Sequence, residues 1–312
     1  MNGQLVTVFG GSGFIGRILV QHLAHAGYRI RVATRRPNNA LYVKPLGDLG
    51  QIQIVQANLK NEASIKAAIY GADIVINLVG ILYESGTQTF DKIHVQGAAL
   101  IAKAATKAGV TKLIHLSALG ADEQSASNYA KSKAQGEAAV IENFAKATII
   151  RPSVVFGPDD KFFNKFAAIA KMFRMLSVIC GDSKFQPIYV GDVAKAIESI
   201  LTTDDAVGKI YQLGGPTVYS FRELMQMVKD VTQQNVPLIN VPLPIANFKA
   251  FFLGMLPNPM VTLDQIRLMQ NDNVVADGEN SLKDLGVKPT PVEAVLANYL
   301  VHYRPSGQFK VA

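Results

Sequence analysis

The sequence contains a single cysteine and no long apolar run. Cys180 alone cannot form a disulfide within the chain, which excludes a small disulfide-stabilised fold and is typical of a reducing compartment. No apolar run reaches the ~18 residues that a membrane-spanning helix needs. The chain enters an apolar run at residues 5–9 without the charged, apolar and small-residue order of a signal peptide. We therefore expect a cytoplasmic protein, or one that lies against a membrane without crossing it.

Charged residues are sparse, at 18% of the 312 residues, and 31 basic residues against 24 acidic ones give a net charge of +7. The basic residues are scattered, with neither zinc-finger spacing nor the aromatic signature of an RNA-binding domain, so we predict no nucleic-acid binding. A positive surface favours other anionic partners, such as phosphates or acidic lipids. Hydrophobic residues make up 49% of the chain, enough for a large core, and the length suggests two domains.

Short β-branched runs alternate with longer helix-period segments through the first half of the chain. The predicted strands are residues 5–9, 29–33, 52–56, 74–77, 113–116 and 148–150. The predicted helices are residues 13–26, 62–70, 91–108 and 127–144. Strands that are apolar at consecutive positions and separated by helices indicate a parallel sheet covered on both faces. We predict an α/β fold with a doubly wound parallel sheet.

The regular alternation ends near Phe156, and prolines punctuate the later part of the chain. This looser pattern is typical of a smaller, less regular region. We predict a sheet domain formed by residues 1–155 and about 185–214. The smaller region, formed by about 156–184 and 215–312, would bind a substrate or dock a partner.

The strongest local signal is a glycine-rich turn between the first predicted strand and the first predicted helix. Its residues are Gly10, Gly11, Ser12, Gly13, Phe14, Ile15 and Gly16. Gly10 permits a tight turn, Gly13 lets a pyrophosphate approach the backbone, and Gly16 lets helix and strand pack closely. The helix N-terminus offers free N–H groups to phosphate oxygens. We predict a dinucleotide site; the alternative is a packing turn that binds nothing.

The second predicted strand leads into Arg35 and Arg36. A site for NAD(H) normally has an acidic residue here, about 20 residues after the glycine-rich turn, but the first acidic residue in this sequence is Asp48. Two guanidinium groups suit the 2′-phosphate of NADP(H), because they form bidentate, charge-assisted hydrogen bonds. We predict NADP(H) as the coenzyme; the alternative is an ordinary pair of solvated arginines.

Tyr129 and Lys133 lie four residues apart on a predicted helix and therefore on one face of it. A nearby cation favours the phenolate and lowers the pKa of a tyrosine toward the range of an acid/base catalyst. Ser117 ends the preceding predicted strand, where its hydroxyl could bind a substrate carbonyl oxygen. We predict that these three residues form the catalytic group; the alternative is an ordinary surface pair of Tyr129 and Lys133.

These features resemble the short-chain dehydrogenase/reductase superfamily, in its extended and atypical branches. The matching pieces are residues 10–16, 77–80 (NLVG), 151–158 (RPSVVFGP) and 189–194 (YVGDVA), with Ser117, Tyr129 and Lys133. The resemblance implies a Rossmann sheet of about seven strands, with a C-terminal region that closes over the nicotinamide. It also assigns further residues to the coenzyme, in addition to Tyr129 and Lys133: Asn58, Leu59, Val79, Gly80, Pro152 and Val154.

Over nearly the whole chain, the sequence is similar to one subgroup, the dehydrogenase-like accessory subunits of respiratory complex I and their bacterial relatives. The specific segments are residues 51–58, 77–90, 184–193 and 263–275. In that family the resemblance implies an NADPH molecule held as a structural element. It also implies docking on the peripheral arm of complex I near the membrane, on the inner face of an energy-transducing membrane.

Two departures from the superfamily pattern concern catalysis. His94 stands where many catalytic members have an asparagine that helps relay protons, and Asn58 replaces a common acidic residue. The first hypothesis is accordingly a non-catalytic NADP(H)-binding accessory or assembly subunit of complex I. The alternative, supported by the retained Ser117, Tyr129 and Lys133, is an NADPH-dependent reductase or epimerase-like enzyme with a small-molecule substrate.

Two amphipathic or apolar segments occur in the later part of the chain. Residues 160–176 place phenylalanines on one helical stripe and four cations outside it. Ile245, Phe248, Phe251, Phe252, Met255 and Leu256 form a second apolar stripe. Packing within the protein is favoured for both, and contact with a substrate pocket, partner subunit or acidic lipid is the alternative. His22 and His25 lack neighbouring ligands, so we predict no metal site.

Overall fold

The computed structural model describes residues 3–254 and 259–305. Over these residues the strands are β1 (Leu5–Phe9), β2 (Arg29–Thr34), β3 (Ile52–Gln56), β4 (Ile74–Asn77), β5 (Lys112–Leu116), β6 (Thr148–Pro152), β7 (Val155–Phe156), β8 (Leu176–Val178), β9 (Lys184–Phe185), β10 (Ile188–Tyr189), β11 (Ile210–Leu213), β12 (Tyr219–Ser220) and β13 (Leu238–Asn240). The α-helices are α1 (Phe14–His25), α2 (Glu62–Ile69), α3 (Gly97–Lys107), α4 (Asn128–Asn143), α5 (Phe163–Phe173), α6 (Val190–Thr202), α7 (Phe221–Thr232), α8 (Leu243–Leu253), α9 (Leu263–Met269) and α10 (Val292–Leu300). The 3₁₀ segments are Pro37–Leu46, Asp204–Ala206 and Val301–Tyr303, and Asp91–Gln96 is π-helical.

In the described part of the chain, the main sheet has seven strands in the order β11-β6-β5-β4-β1-β2-β3, and every pair in it is parallel. Val8 of β1 is in register with Val32 on one side and Ile76 on the other. The predicted doubly wound sheet is therefore confirmed. The strand order reverses between β1 and β4, and the crevice at the carboxyl ends of such strands is where open α/β sheets bind ligands.

The chain divides into two compact units. The first contains the described residues up to Pro152, together with Gly191–Leu213 and Gly278–Val287. The second contains Ser153–Val190, the described residues between Gly214 and Asp277, and those from Lys288 onward.

The core of the first unit lies between the sheet and its helices. Helix α3 has small residues on its buried face, including Ala98 and Ala102, which allow it to approach the sheet closely. Ile65 and Ile69 of α2 are fully buried in the same cluster. Burying one such side chain contributes about 2 kcal/mol relative to leaving it in water. The alternation of apolar and polar positions in these helices thus fixes which helix face covers the sheet.

The predicted helix over residues 91–108 is two elements in the structure. The π-helical turn Asp91–Gln96 precedes α3, and the carbonyl oxygen of His94 faces α4 at Gly136. A Cβ atom at Gly136 would lie 2.3 Å from that oxygen. The π-helical turn therefore packs closely against α4, and this contact requires a glycine at position 136, more than 40 residues later in the chain.

The core of the second unit is rich in phenylalanine. Phe163 of α5 packs edge-on against Phe156, with ring centroids 6.0 Å apart, and Phe221 of α7 joins the same cluster. Asp160 stabilises the N-terminus of α5, because its Oδ1 accepts hydrogen bonds from the backbone nitrogens of Phe162 and Asn164. Phe162, Phe163 and Phe166 of the predicted stripe therefore pack within their own unit, as was favoured from the sequence, whereas Phe173 is exposed.

Helix α8 corrects a prediction, because its apolar stripe is on the surface and not in the core. Ile245, Phe248, Phe251 and Phe252 are between 50% and 67% exposed. Met255 and Leu256, assigned to the same stripe, lie outside the described residues. Ala246 and Ala250 supply the buried side of the helix, and small side chains suffice there. Within residues 3–254 and 259–305, no helix combines the length and apolarity needed to traverse a bilayer.

Candidate functional site

The candidate site lies at the carboxyl ends of β1, β4 and β5, where the strand order of the sheet reverses. The loop after β4 lies next to the glycine-rich turn, because the backbone nitrogen of Leu78 donates to the carbonyl oxygen of Phe9 at 3.0 Å. The backbone nitrogen of Gly10 donates in turn to Ala33 of β2 at 3.3 Å. Parallel strands thus bring the glycine-rich turn and the residues after β2 and β4 to one edge of the sheet.

The glycine-rich turn requires glycine at two positions in particular. Gly10 has φ +78°, a left-handed conformation that side chains disfavour, and a Cβ atom on it would lie 3.3 Å from the backbone of Leu78. A Cβ atom on Gly16 would lie 2.2 Å from the carbonyl oxygen of Gly10. No side chain in the described chain caps the first turn of α1. The N–H groups of Phe14, Ile15 and Gly16 therefore remain at the turn, where they suit a pyrophosphate.

The residues predicted for the adenosine end surround the ends of β2 and β3. Arg35 and Arg36 are both exposed, and Nη1 of Arg35 donates to Oε1 of Gln88 at 2.5 Å. Asn58 accepts a hydrogen bond from the backbone nitrogen of Lys60 at 3.1 Å, and Leu59 is buried in the core. Arg35, Arg36 and Asn58 thus follow two paired parallel strands, β2 and β3, at the carboxyl end of the sheet.

Sequence reasoning missed three residues on this side. The Tyr42 hydroxyl donates to the carbonyl oxygen of Ser12, within the glycine-rich turn. Lys60 donates to the carbonyl and hydroxyl oxygens of Thr87, both at 2.7 Å. Gln88 is the partner of Arg35. No nearby sequence pattern indicates the role of these residues, because each contacts a residue at least 27 positions away in the chain.

The predicted catalytic residues meet beside β5. Ser127 caps α4 by accepting from the backbone nitrogen of Ala130, which fixes the start of the helix that carries Tyr129 and Lys133. The Nζ atom of Lys133 donates to the carbonyl oxygen of Leu116 at 2.8 Å. Ser117, the next residue, is 4% exposed, and no atom in residues 3–254 or 259–305 is a hydrogen-bond partner of its Oγ. An unpaired buried hydroxyl is costly and is typical of a group that awaits a ligand.

The pKa values of Tyr129 and Lys133 are set mainly by burial, and not by the neighbouring charge that the sequence suggested. Burial raises the pKa of Tyr129 to about 12, the opposite direction from the predicted effect of a neighbouring cation. Burial also lowers the pKa of Lys133 to about 8, against the attraction of the Glu137 carboxylate. Glu137 itself is buried and forms a bidentate ion pair with Arg151, in which Nη2 and Oε2 are 2.6 Å apart. Loss of water around the phenol and ammonium groups is therefore the largest cause of both pKa shifts.

Four further residues were assigned to the coenzyme from the family resemblance. The backbone nitrogen of Val79 donates to Oδ1 of Asn77 at 3.1 Å, and Gly80 follows it in the loop after β4. Pro152 ends β6, where its carbonyl oxygen accepts from the backbone of Leu119. Val154 belongs to the second unit and packs against its phenylalanine-rich core. Val79, Gly80 and Pro152 thus stand at the same sheet edge as the glycine-rich turn.

Two buried histidines also lie at this edge. His94 bonds Ser132 of α4 and the backbone of Ile81, and its ring stacks on Phe90 with centroids 5.4 Å apart. Nδ1 of His115 is 3.0 Å from Nδ2 of Asn77, and burial lowers the pKa of His115. The sequence identified His94 only as a departure from a family pattern, because its partners are distant in the chain.

The site has the features that a nicotinamide dinucleotide requires. The glycine-rich turn is free of side chains where a pyrophosphate would approach, and a helix N-terminus faces it. At the other end, the hydroxyl of Ser117 is buried without a partner among the described residues, close in sequence to the carbonyl that holds Lys133. The residues present therefore fit the coenzyme predicted from the sequence.

Comparisons with known proteins agree with this geometry. The family "NAD dependent epimerase/dehydratase" matches residues 6–214. "NADH dehydrogenase (ubiquinone) 1 alpha subcomplex subunit 9, mitochondrial" of Arabidopsis thaliana is 35% identical, over 98% of this chain and 80% of that protein. "NADH-ubiquinone oxidoreductase 40 kDa subunit, mitochondrial" of Neurospora crassa is 31% identical, over 99% of this chain and 82% of that protein. "Ceramide reductase" of Caulobacter vibrioides is 31% identical, over 77% of this chain and 74% of that protein.

Among solved structures, the triphenylmethane reductase of Citrobacter sp. superposes with a TM-score of 0.77 at 18% identity, over 95% of this chain and 99% of that one. At this identity the likeness concerns the fold alone. The family match extends over most of the first unit, and the similarity to the two NADH:ubiquinone oxidoreductase subunits extends over nearly the whole chain. The chain therefore belongs to the NAD-dependent epimerase/dehydratase family, in the group of the dehydrogenase-like accessory subunits of respiratory complex I.

Proposed function

We propose that this protein is an NADP(H)-binding accessory or assembly subunit of respiratory complex I, in which the coenzyme is mainly structural. The observation that carries the proposal is similarity at 35% identity to a subunit of NADH dehydrogenase (ubiquinone) over 98% of the chain. Both units of the structure are included in that match, so the second unit, which would dock a partner, is shared as well. The coenzyme would contribute by stabilising the folded chain, because a ligand that binds only the folded state raises the free energy of unfolding.

The first unit supplies the groups that would hold the coenzyme. The backbone of residues 10–16 would bind the pyrophosphate, and Arg35 and Arg36 the 2′-phosphate. The remaining coenzyme surface would be lined by Asn58, Leu59, Val79, Gly80 and Pro152. Tyr129 and Lys133 would hold the nicotinamide ribose. In the structural role these residues bind the coenzyme and need move no proton.

The choice of NADP(H) over NAD(H) depends on the two arginines and is tested by calorimetry. A double variant, Arg35→Ala with Arg36→Ala, should weaken NADPH binding by about a hundredfold, since a hydrogen bond between charged groups contributes about 1.5–3 kcal/mol. NADH binding should change little. Arg29→Ala, at the exposed first position of β2, is the matched control. Equal affinities of the native protein for NADPH and NADH would contradict the choice.

The exposed face of α8 supports docking at the membrane surface. Phe248, Phe251 and Phe252 project from a helix that contains one charge, the cation Lys249. No acidic residue occurs in residues 231–263, nor in residues 161–181, where Lys171 and Arg174 are exposed beside exposed Met172 and Phe173. Aromatic side chains with a basic rim suit the boundary between acyl chains and anionic headgroups. The protein would then lie peripherally on the inner face of the energy-transducing membrane.

Vesicle flotation tests the lipid contact. The native protein should float with vesicles that contain an acidic phospholipid at low salt and less with neutral vesicles. Phe248→Ser with Phe252→Ser should abolish flotation, whereas Leu49→Ser, at a fully exposed position of the first unit, should not. Equal recovery of native protein and double variant would contradict lipid contact through α8.

Association with complex I is tested in gently solubilised membranes from the source organism. The protein should co-migrate with complex I, and deletion of the gene should lower membrane NADH:quinone activity. Tyr129→Phe should restore that activity in the deletion strain, because a structural coenzyme does not require the phenol to transfer a proton. Migration apart from complex I, with unchanged activity on deletion, would overturn the proposal.

A second candidate function is an NADPH-dependent reductase or epimerase-like enzyme. It is favoured by the retained Tyr129 and Lys133 and by the hydroxyl of Ser117, which has no hydrogen-bond partner among the described residues. The 31% identity to a ceramide reductase supports it too. The coenzyme would supply a hydride to a substrate carbonyl. Ser117 would polarise the carbonyl oxygen, and Tyr129 would transfer the proton. With coenzyme and substrate bound, Lys133 would lower the pKa of the Tyr129 phenol. Tyr129→Phe should then abolish turnover.

A further inference from the structure

The imidazole ring of His94 joins two elements of the first unit through both of its nitrogen atoms. Nε2 lies 3.0 Å from the backbone nitrogen of Ile81, which donates to it. Nδ1 lies 2.8 Å from Oγ of Ser132. Ile81 follows Gly80 in the loop after β4, and Ser132 lies on α4 immediately before Lys133. The ring therefore connects a proposed coenzyme loop with the helix that carries the Tyr129–Lys133 pair.

These hydrogen bonds determine the tautomer of the ring. A backbone N–H can only donate, so Nε2 must accept and carries no proton. The single proton of the Ser132 hydroxyl is donated to the carbonyl oxygen of Tyr129 at 2.7 Å. Oγ of Ser132 therefore accepts from His94, and Nδ1 carries the proton. The arrangement requires a neutral His94 with the proton on Nδ1.

The surroundings of His94 favour this neutral form. The side chain is buried, and burial, followed by the charge of Lys133, lowers the pKa of His94 to about 3. The other titratable groups that face the ring are Tyr129 on α4 and His115 on β5, which are uncharged near neutral pH. A protonated Nε2 would lose its bond to Ile81 and place a second cation near Lys133.

Ring contacts extend the effect of His94 to the phenol. The ring of Tyr129 meets that of His94 edge-on, with centroids 5.6 Å apart, and the ring of Phe90 stacks on that of His94 with centroids 5.4 Å apart. Phe90 also meets Tyr129 edge-on at 5.8 Å. Three rings thus hold one another in a fixed arrangement, and the two hydrogen bonds of His94 anchor that group to the loop after β4 and to α4.

We propose that His94, as a neutral imidazole protonated at Nδ1, is a positioning residue that ties the loop after β4 to the helix bearing Tyr129 and Lys133. It sets the distance between these two parts of the site before any ligand binds. This inference rests on the proposed function insofar as the loop and the helix are both assigned there to the nicotinamide end of the coenzyme.

Imidazole nitrogen NMR tests the tautomer directly on the full chain without coenzyme. In ¹⁵N-labelled protein, Nδ1 of His94 should show the chemical shift of a protonated nitrogen and Nε2 that of an unprotonated one. The pattern should remain constant from about pH 5 to 8, whereas a free histidine titrates in this range. His94→Gln identifies the signals. A proton on Nε2, or titration of His94 within this range, would overturn the proposal.

Three substitutions separate the two hydrogen bonds. His94→Phe keeps a flat ring against Phe90 but removes both hydrogen bonds of His94, whereas His94→Gln can still accept from Ile81. Ser132→Ala removes the contact of His94 with α4, together with the hydrogen bond from Ser132 to the carbonyl oxygen of Tyr129. Amide exchange of Ile81 should accelerate at least tenfold in His94→Phe and stay near the native rate in His94→Gln. The dissociation constant for NADPH should rise about tenfold in His94→Phe, with partial rescue in His94→Gln. His25→Gln, on the surface of α1, is the control.

The outcomes distinguish failure of this inference from failure of the proposed function. If the native protein binds neither NADPH nor NADH, the proposed function fails, while the tautomer and the Ile81 exchange rate still decide the role of His94. If NADPH binds natively and His94→Phe leaves both the dissociation constant and Ile81 exchange unchanged, the positioning role of His94 is refuted and the coenzyme site stands.

Discussion

At the residue scale, Lys133 combines burial with a positive charge. Its Nζ atom has a carbonyl partner, yet burial holds its pKa at about 8, compared with 10.5 for an exposed lysine. At pH values between these two pKa values, Lys133 is protonated in the unfolded chain but largely deprotonated in the folded chain. The free energy of unfolding therefore rises with pH in this window, and the destabilising effect of Lys133 is fully present below about pH 8.

Lys133→Met should reveal this dependence through urea unfolding at two pH values. The stability advantage of the variant over the native protein should be smaller at pH 9 than at pH 7 by about 1.4 kcal/mol, the equivalent of one pKa unit. Tyr129 does not interfere, because its pKa of about 12 lies above both conditions. Lys131→Met, on a less buried part of the same helix, should show no such change. An equal difference at both pH values would contradict the assigned pKa.

The residues that the sequence identified are those whose roles are local. Gly10 and Gly16 are recognisable because the turn they permit spans seven consecutive residues. His94 and Ser132 are 38 positions apart, so no spacing in the sequence connects them. The direction of the Tyr129 pKa was wrong because residue spacing shows a neighbouring cation but not the water that burial removes. Charge pairs can be read from sequence, whereas desolvation depends on the folded surroundings.

At the element scale, strand positions were predicted within two residues for the six strands expected in the sheet. A fully buried strand needs consecutive apolar residues, and that pattern is visible without the fold. The π-helical turn Asp91–Gln96 was not predicted, because it depends on packing against α4. The exposure of α8 was also missed, since an apolar stripe looks the same whether its own core or an external partner covers it.

Gly136→Ala tests the contact between α4 and the π-helical turn. A methyl group would lie 2.3 Å from the carbonyl oxygen of His94, so the two elements must separate. Overpacking costs about 1–3 kcal/mol and exceeds the helix propensity gained by alanine, about 1 kcal/mol. The free energy of unfolding, measured in urea, should fall by about 1–2 kcal/mol. Gln135→Ala, on the exposed side of α4, should leave it nearly unchanged, and a stabilised Gly136→Ala would refute the contact.

At the scale of the whole molecule, the proposed coenzyme site belongs to the first unit, and the exposed aromatic face belongs to the second. The two proposed activities, coenzyme binding and docking, therefore reside in different parts of the chain. Variants in one part should leave the measurement for the other unchanged unless the units are energetically coupled. The flotation and calorimetry experiments, carried out on both sets of variants, measure that coupling.

Coenzyme binding should stabilise the first unit by mass action. NADPH at about 100 times its dissociation constant should raise the free energy of unfolding by about 2.7 kcal/mol, seen as slower exchange of amides in the main sheet. The Arg35→Ala, Arg36→Ala double variant should require a higher NADPH concentration for the same effect. Unchanged exchange in the native protein at every NADPH concentration would rule out a structural coenzyme.

The first unit includes a segment from late in the sequence, Gly278–Val287. Edge strand β11 receives its last partner from the segment Gly278–Val287, in which the carbonyl oxygen of Asn280 accepts from the backbone of Gln212 at 2.8 Å. Leu282 and Leu285 of this segment are buried. Synthesis must therefore reach residue 287 before this edge of the sheet is covered, and until then β11 presents an open edge that can pair with other chains. Nascent chains of this protein should accordingly depend on chaperones until residue 287 has left the exit tunnel.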